Sequence, residues 1–305
     1  VEQCRATTLY VGGGGGGNYS SIQDAINASS NGDTVFVYSG TYEENVIVNK
    51  SITLQGENKN TTILTSDRTG HIITITSDWV NISGLTITHY GSGGGSERGI
   101  YVAANDSNIY GNNLTNSSGS IYLENDLNTT IYNNYIAGVF RGIYSDGSSN
   151  VLISKNTLIN HLQYGLRFIG SSNNSIVNNT YTSNHIGMSL ESSSNDNIVL
   201  NNTVDNHDWG IYIKGSLNNQ VSENIINDTV EHGVVVYLSS SGNMIYGNTI
   251  TNCTEYGIII STFLNDFNPS NNNYIFYNTF LTNTQNAYDN CTNYWYNATT
   301  TQGNY

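Results

Sequence analysis

Charge and sulfur are both scarce in this chain. Of its 305 residues, 9 are Lys or Arg and 23 are Asp or Glu, giving a formal net charge of −14 and a pI near 4.5. That balance argues against a nucleic-acid partner and against anionic membrane surfaces. The three cysteines, at positions 4, 253 and 291, show no Cys-x-x-Cys and no metal-type spacing. No run of about 18 apolar residues occurs, so no membrane span is expected. Hydrophobic residues make up only 37% of the chain, which is poor for a compact globule but sufficient for a solenoid with a thin interior. The six glycines at 12–17 are not followed by Lys-Ser/Thr, so they read as a connector rather than a phosphate loop.

What the chain does have is an internal repeat. A small residue followed by an apolar one recurs at Gly99, Ser120, Gly142, Gly165, Gly187, Gly210, Gly233 and Gly257, in steps of 21 to 24 residues. A second column holds Asn112, Asn134, Asn156, Asn179, Asn202, Asn224, Asn248 and Asn278. Three residues before each Asn stands Ile or Val, and two after stands an apolar residue such as Leu114, Ile136 or Val204. Each period holds three short alternating runs and no stretch long enough for a helix. Three strands in about 22 residues, repeated, give an all-β parallel β-helix whose rungs stack at about 4.8 Å. The Asn column is expected at a bend, where Asn tolerates left-handed angles and its amide bonds along the stack.

The organisation follows from this register. Residues 1–19 form a Gly-rich N-terminal segment, and 20–305 form one β-helix domain. Within it, 20–98 hold a cap and irregular first rungs, 99–285 the regular rungs, and 286–305 a C-terminal tail. Residues 20–28 read as a short capping helix, with Ser20 and Gln23 at capping-box spacing and Ile22, Ala25 and Ile26 on one face. No comparable helix pattern closes the other end, which makes that end a docking surface. Cys253 and Cys291 are candidates for a disulfide on the last rungs, leaving Cys4 free or paired between subunits. Val1 in place of Met fits either a removed export signal or a trimmed sequence. Many Asn-x-Ser/Thr triplets favour an exported, glycosylated chain, the alternative being chance triplets that carry no sugar. Asn81, Asn113, Asn128 and Asn252 are the glycosylation candidates.

The stretches "SSIQDAI", "NGDTVFVYSGTYEENVIVNKSITLQGEN" and "NTFLTNTQNAYDNCTNYWYN" resemble the NosD-type repeat proteins of the pectin-lyase-like superfamily. The resemblance implies a right-handed β-helix over essentially the whole chain. It also implies the setting in which such modules are frequent, archaeal cell-surface and S-layer-like proteins. For activity it implies little, because the superfamily holds lyases, hydrolases, epimerases, binding proteins and structural proteins alike. The name NosD suggests copper handling, yet the chain has two Met and no clustered His, Met or Cys. The polygalacturonase-like Gly-His-Gly and Arg-Ile-Lys patterns are absent, with "EHGV" the nearest match.

Chemistry-bearing residues gather where the chain enters each rung: His161, His185, His207 with Asp208, Glu231 with His232, and Cys253 with Glu255. Stacked, they would form an outer ridge, flanked by the outward column Tyr101, Tyr122, Tyr144, Arg167, Ser189 and Tyr212. If the chain is an enzyme, His207, Asp208, Arg167 and His232 are its candidate catalytic residues. Tyr101, Tyr122, Tyr144, Tyr164, Trp209, Tyr212 and Tyr256 are candidates for stacking on sugars or for an interface. No complete catalytic set is present, no cofactor or metal site is expected, and Asn/Asp turns leave structural calcium open without an EF-hand or RTX-type pattern. The main expectation is a protein of the cell surface that self-associates into a layer, sheath or filament. The outward apolar residues Val177, Leu200 and Phe276 favour it. The alternative is a polysaccharide-acting lyase, epimerase or hydrolase, or a glycan-binding adhesin.

Overall fold

The computed structural model describes every residue except 1–5, 68, 90–96, 117–120, 139, 263–267, 298 and 300–301. Its strands wind into three parallel sheets of twelve, eleven and eleven strands. One turn runs through Asn108–Tyr110 in the first sheet, Asn113–Thr115 in the second and Ile121–Glu124 in the third. Strict alternation puts one side of each strand inside. Ile109, Ile131 and Ile153 lie in register in the first sheet, as do Leu114 and Ile136 in the second and Ile121 and Ile143 in the third. All of these are fully buried. Each contributes roughly 1.5–3 kcal/mol as an upper bound, so the aliphatic columns are the main source of stability.

Two asparagine ladders hold the corners. Asn112 Nδ2 donates to Asn134 Oδ1 at 3.2 Å, Asn134 to Asn156 at 3.0 Å, and the series continues to Asn278 and Asn304 at 2.9 Å. The column was expected to be left-handed itself. Instead the positive φ falls on the residue before it, as at Asn133, Lys155, Asn178 and Asn201. That residue makes the bend, which frees the next one to point inward and use its amide. At the corner between the third and first sheets a second ladder links Asn174, Asn197, Asn219, Asn243, Asn273 and Asn293. Beside it the hydroxyls of Ser148, Ser171, Ser194, Ser216, Ser240 and Ser270 each accept the backbone N–H of the preceding rung.

Asp126 occupies the place of these serines one rung earlier. It is fully buried, its Oδ1 accepts from Thr129 at 2.9 Å, and burial pushes its carboxyl up to about 7. A carboxyl raised in the folded state contributes least where it must ionise. Stability therefore falls as pH rises from the unfolded value near 4 through 7. Asp126→Ser should accordingly be more stable than wild type by about 4 kcal/mol at pH 8, with the gap closing by pH 4. Urea unfolding at the two pH values checks this, and an equal difference at both would refute it.

The N-terminal end is covered by the helix Ile22–Ala28, which buries Ile22, Ala25 and Ile26. Its cap is Ser21, one residue later than expected: Ser21 Oγ accepts from Asp24 N at 3.2 Å. The expected partner Gln23 is replaced by Glu44, whose carboxylate accepts Ile22 N and Gln23 N at 2.8 and 3.0 Å, a favourable charge at a helix N-terminus. At the other end Lys50 Nζ donates to the carbonyls of Ile26, Asn27 and Ser29. Within the segment read only as Gly-rich, Thr8–Val11 pairs with Thr34–Val37 and opens the first sheet. Residues 12–17 are the turn that follows that strand.

Candidate functional site

The third sheet differs from the other two in its outer face. Its strands lengthen to six residues from Arg141–Asp146 to Tyr256–Ser261. The residue before each glycine also faces out. In register these are Arg141, Tyr164, Ile186, Trp209, His232 and Tyr256. Beside them run Tyr101, Tyr122, Tyr144, Arg167, Ser189 and Tyr212.

The face has two halves. In the first, tyrosine rings stack on one another. Tyr101 and Tyr122 have centroids 5.6 Å apart, Tyr122 and Tyr144 4.9 Å, and His71 stacks on Tyr101 at 4.6 Å. Guanidinium groups fill the remaining ring faces: Arg98 lies 5.4 Å from Tyr122, Arg141 5.2 Å from Tyr144, and Arg167 4.8 Å from Tyr164. The rings are therefore taken up by neighbours within the ladder, and what faces solvent is their edges. The hydrogen bond to Glu124, then burial, pushes Tyr101 up to about 12. Burial with the nearby carboxylates does the same for Tyr122. These phenols hold their protons and act as donors.

In the second half the face closes on itself. Ile186, Tyr212, Val235 and Ile259 form a small core outside the tube, covered by Tyr164, Trp209, Tyr237 and Tyr256. Tyr212 points outward as expected but is only 8% exposed. Between the halves Arg167 makes a two-point pair with Glu191, both bonds 3.0 Å, and Ser189 donates to the same carboxylate. Trp209 Nε1 donates to Glu231 at 2.5 Å, and His232 Nε2 stands 3.6 Å from Glu255. At the corner leading into the sheet, His185 Nδ1 meets Asp208 at 2.5 Å, both groups about half exposed.

Several expected site residues sit elsewhere. His207 is not on the outer ridge. It is 1% exposed at the corner after the second sheet, where its Nδ1 faces the backbone N–H and carbonyl of Asn184. His161 and Cys253 occupy the same inward column. The preceding residues Asn160, Asn206 and Asn252 take positive φ, and that bend turns the next side chain inside. Burial keeps His161 and His207 neutral, His161 down to about 4. His232 is on the face but only 5% exposed, packed between Trp209 and Tyr256. Asp208 remains at the surface as the partner of His185. Cys253 and Cys291 are both free thiols, against the expected bridge. Cys253 is buried at the second-to-third corner, whereas Cys291 follows the last third-sheet strand and is half-buried. Cys4 lies outside the described residues.

Of the sequon asparagines, Asn128 and Asn252 are exposed at positive φ, and Asn81 and Asn113 are half-buried at strand starts. Sequence reasoning missed His71, Arg98, Arg141, Glu124 and Glu191. The signal was available for two of them, since Arg98 and Arg141 each directly precede a glycine of the repeat.

Residues 26–207 and 120–305 match the NosD family, described as periplasmic copper-binding protein. The chain belongs to the NosD family. No curated protein matches it. Among solved structures it is similar to the A-module of the mannuronan C-5 epimerase AlgE6 of Azotobacter vinelandii. The identity is 14%, the TM-score 0.74, and 93% of this chain and 94% of that one are covered. It is similar also to the Dettilon tailspike protein gp208, at 15% identity and TM-score 0.73, covering 90% and 62%. A third is the catalytic domain of a GH87 α-1,3-glucanase in complex with nigerose, at 14% and 0.67, covering 95% and 68%. At such identities the likeness is one of fold.

The copper of the NosD description finds no donor set among the described residues. They hold no group of three His, Cys, Asp or Glu able to take a metal. Met188 is in the core, and Met244 is 40% exposed on the outer side of the first sheet. No helix among them is long and apolar enough to cross a membrane.

Proposed function

We propose that this NosD-family chain is an exported protein that acts on a carbohydrate polymer laid along the outer face of its third sheet. One observation carries the reading. Tyr122 and Tyr144, interleaved with arginines, present hydrogen-bond donors in a row parallel to the solenoid axis, beside Tyr101, whose own proton goes to Glu124. An extended polymer can meet such a row at each rung, at intervals of about 4.8 Å. The structural neighbours fit the same reading, since their titles name an epimerase of mannuronan and a glucanase with a bound disaccharide. Recognition by edges differs from ring-on-sugar stacking: the phenols and guanidiniums donate to hydroxyl and carboxyl oxygens.

If the polymer is turned over, His185 is the proton-transfer residue. Asp208 orients it through Nδ1, leaving Nε2 to accept or give a proton. The raised phenol pKa values argue against a tyrosinate in that role.

Polymer binding by glycan array, with assays for new reducing ends and for unsaturated product, tests the reading. Tyr122→Ala and Tyr144→Ala should each weaken binding about tenfold, and His185→Ala should remove turnover while leaving binding. Absence of binding to every saccharide polymer would sink it. A second reading, self-association into a surface layer, is favoured by the exposed row Leu152, Ile198, Met244 and Tyr274 on the outer side of the first sheet. Under it, sedimentation would show concentration-dependent assembly.

A further inference from the structure

We infer that the corner carrying Trp79 is a second binding site, which takes a neutral sugar unit against the indole face. It lies between the third and first sheets, apart from the face described above, and does not rest on that reading. Two positions before a first-sheet strand the backbone is commonly left-handed. The residue there is Asn, Asp or Gly, as at Gly32, Asp106, Asn128, Asn173, Asn218 and Gly242. Trp79 is the exception, holding the same place before Asn81–Ser83 at φ 63°. Left-handed angles suit a short or absent side chain and disfavour a bulky one.

Packing does not account for the exception. Trp79 is 65% exposed. Among the described residues its indole stacks on no ring and donates no hydrogen bond. Trp209 and Trp295, by contrast, donate theirs to Glu231 and Asp289. The backbone is pinned from the next rung: Trp79 N donates to Asn105 O at 3.3 Å, and Asp78 Oδ1 accepts from Asn105 N at 2.8 Å. A strained backbone that holds a bare aromatic ring in water points to a ligand for the ring.

What adjoins the ring suits a sugar. In the two rungs toward the N-terminus the same place holds Ser51 and Gly32, small residues that leave the space beside the indole open. The result is a cleft of about 320 Å³ lined by Gly32, Ser51, Ile52, Thr53, Trp79 and Asn81, a size at the lower end of small-molecule sites. Its polar groups have capacity to spare. Thr53 Oγ1 accepts from Asn81 Nδ2 at 3.3 Å and keeps its own proton to donate, and Asn81 Nδ2 has a second proton. The Ser51 hydroxyl meets that of Ser77 at 3.3 Å beside them. A pyranose offers an apolar C–H face and a rim of hydroxyls, which this ring and these groups match. None of the lining residues is charged, so the class is a neutral sugar rather than a uronate or a sugar phosphate.

The test uses the full chain, produced without N-glycosylation so that Asn81 carries no sugar. It is titrated with mono- and oligosaccharides of glucose, mannose, galactose and N-acetylglucosamine, and binding is read on the sugar protons by saturation-transfer NMR. At least one sugar should bind saturably. In Trp79→Asn the affinity should fall about tenfold while the melting temperature stays level or rises, because Asn is what other rungs use at this corner. Trp79→Tyr should recover part of the affinity. Leu162→Ala, at an equally exposed apolar position, should leave it within about twofold. A melting temperature lowered by several degrees in Trp79→Asn would make the indole a packing residue and overturn the inference. Affinity that survives in Trp79→Asn places the sugar elsewhere and overturns it too, as does preference for an apolar probe such as toluene over every sugar. Failure of all the neutral sugars to bind also overturns it, and leaves the polymer face of the third sheet to its own tests.

Discussion

Asn202→Ala should lower the unfolding free energy by about 4–6 kcal/mol. The side chain is 1% exposed and works in both directions. Its Oδ1 accepts the N–H and Nδ2 of Asn179 at 2.9 and 3.0 Å. Its Nδ2 donates to the carbonyls of Ile176 and Leu200 and to Asn224 Oδ1, at 2.9, 3.1 and 3.0 Å. Truncation leaves two donors and up to three acceptors short of a partner where water cannot replace it. Each such group costs about 1–3 kcal/mol, and shared acceptors relax part of the total. The neighbour Asn201 is exposed with φ 55°, so Asn201→Ala should cost only about 1 kcal/mol, the strain of a left-handed alanine. Equilibrium urea unfolding of the two variants separates a buried ladder from a merely polar corner. A loss below 1 kcal/mol for Asn202→Ala would show the ladder to be dispensable.

Gly210→Ala should be at least as damaging, by more than about 4 kcal/mol. A Cβ there would lie 2.5 Å from the carbonyl oxygen of Gly233 and 2.8 Å from Ile226 Cγ2. The first contact is with backbone on the next rung, which cannot yield without opening the third sheet. Gly170 gives the contrast. It has φ +55° but its nearest contact is 3.8 Å, so Gly170→Ala carries only conformational strain of about 1 kcal/mol. Hydrogen exchange should show faster opening of the strands Trp209–Lys214 and His232–Tyr237 in Gly210→Ala alone. Unchanged exchange in both would mean that the rungs can separate to admit a methyl group.

These two positions were legible from the sequence because they depend on register. An Asn or Gly repeated in phase with buried Ile has a reason to stay there that loop residues lack. The corners were less legible. Alternation assigns inside and outside along a strand but fails across a left-handed bend, and so His207 and Cys253 were placed outside when Asn206 and Asn252 turn them in. The site was the hardest part. Tyr101, Tyr122 and Tyr144 were found from their column, but their use of ring faces against each other and against arginine is a matter of packing that no spacing reveals. Arg98 and Arg141 were missed because the residue before a repeat glycine was counted with the turn, although from Arg141 onward the third-sheet strand extends through that glycine.

The inter-rung backbone bonds all run along the axis of the solenoid, and the covalent chain runs around it. A load applied end to end therefore falls on those bonds rung after rung, like a stack of rings parting one at a time, each turn of about 23 residues releasing roughly 75 Å of thread. A load applied across the tube is met by the peptide backbone itself. A polymer lying lengthwise on the third sheet would bridge several rungs and so brace the molecule in its weaker direction.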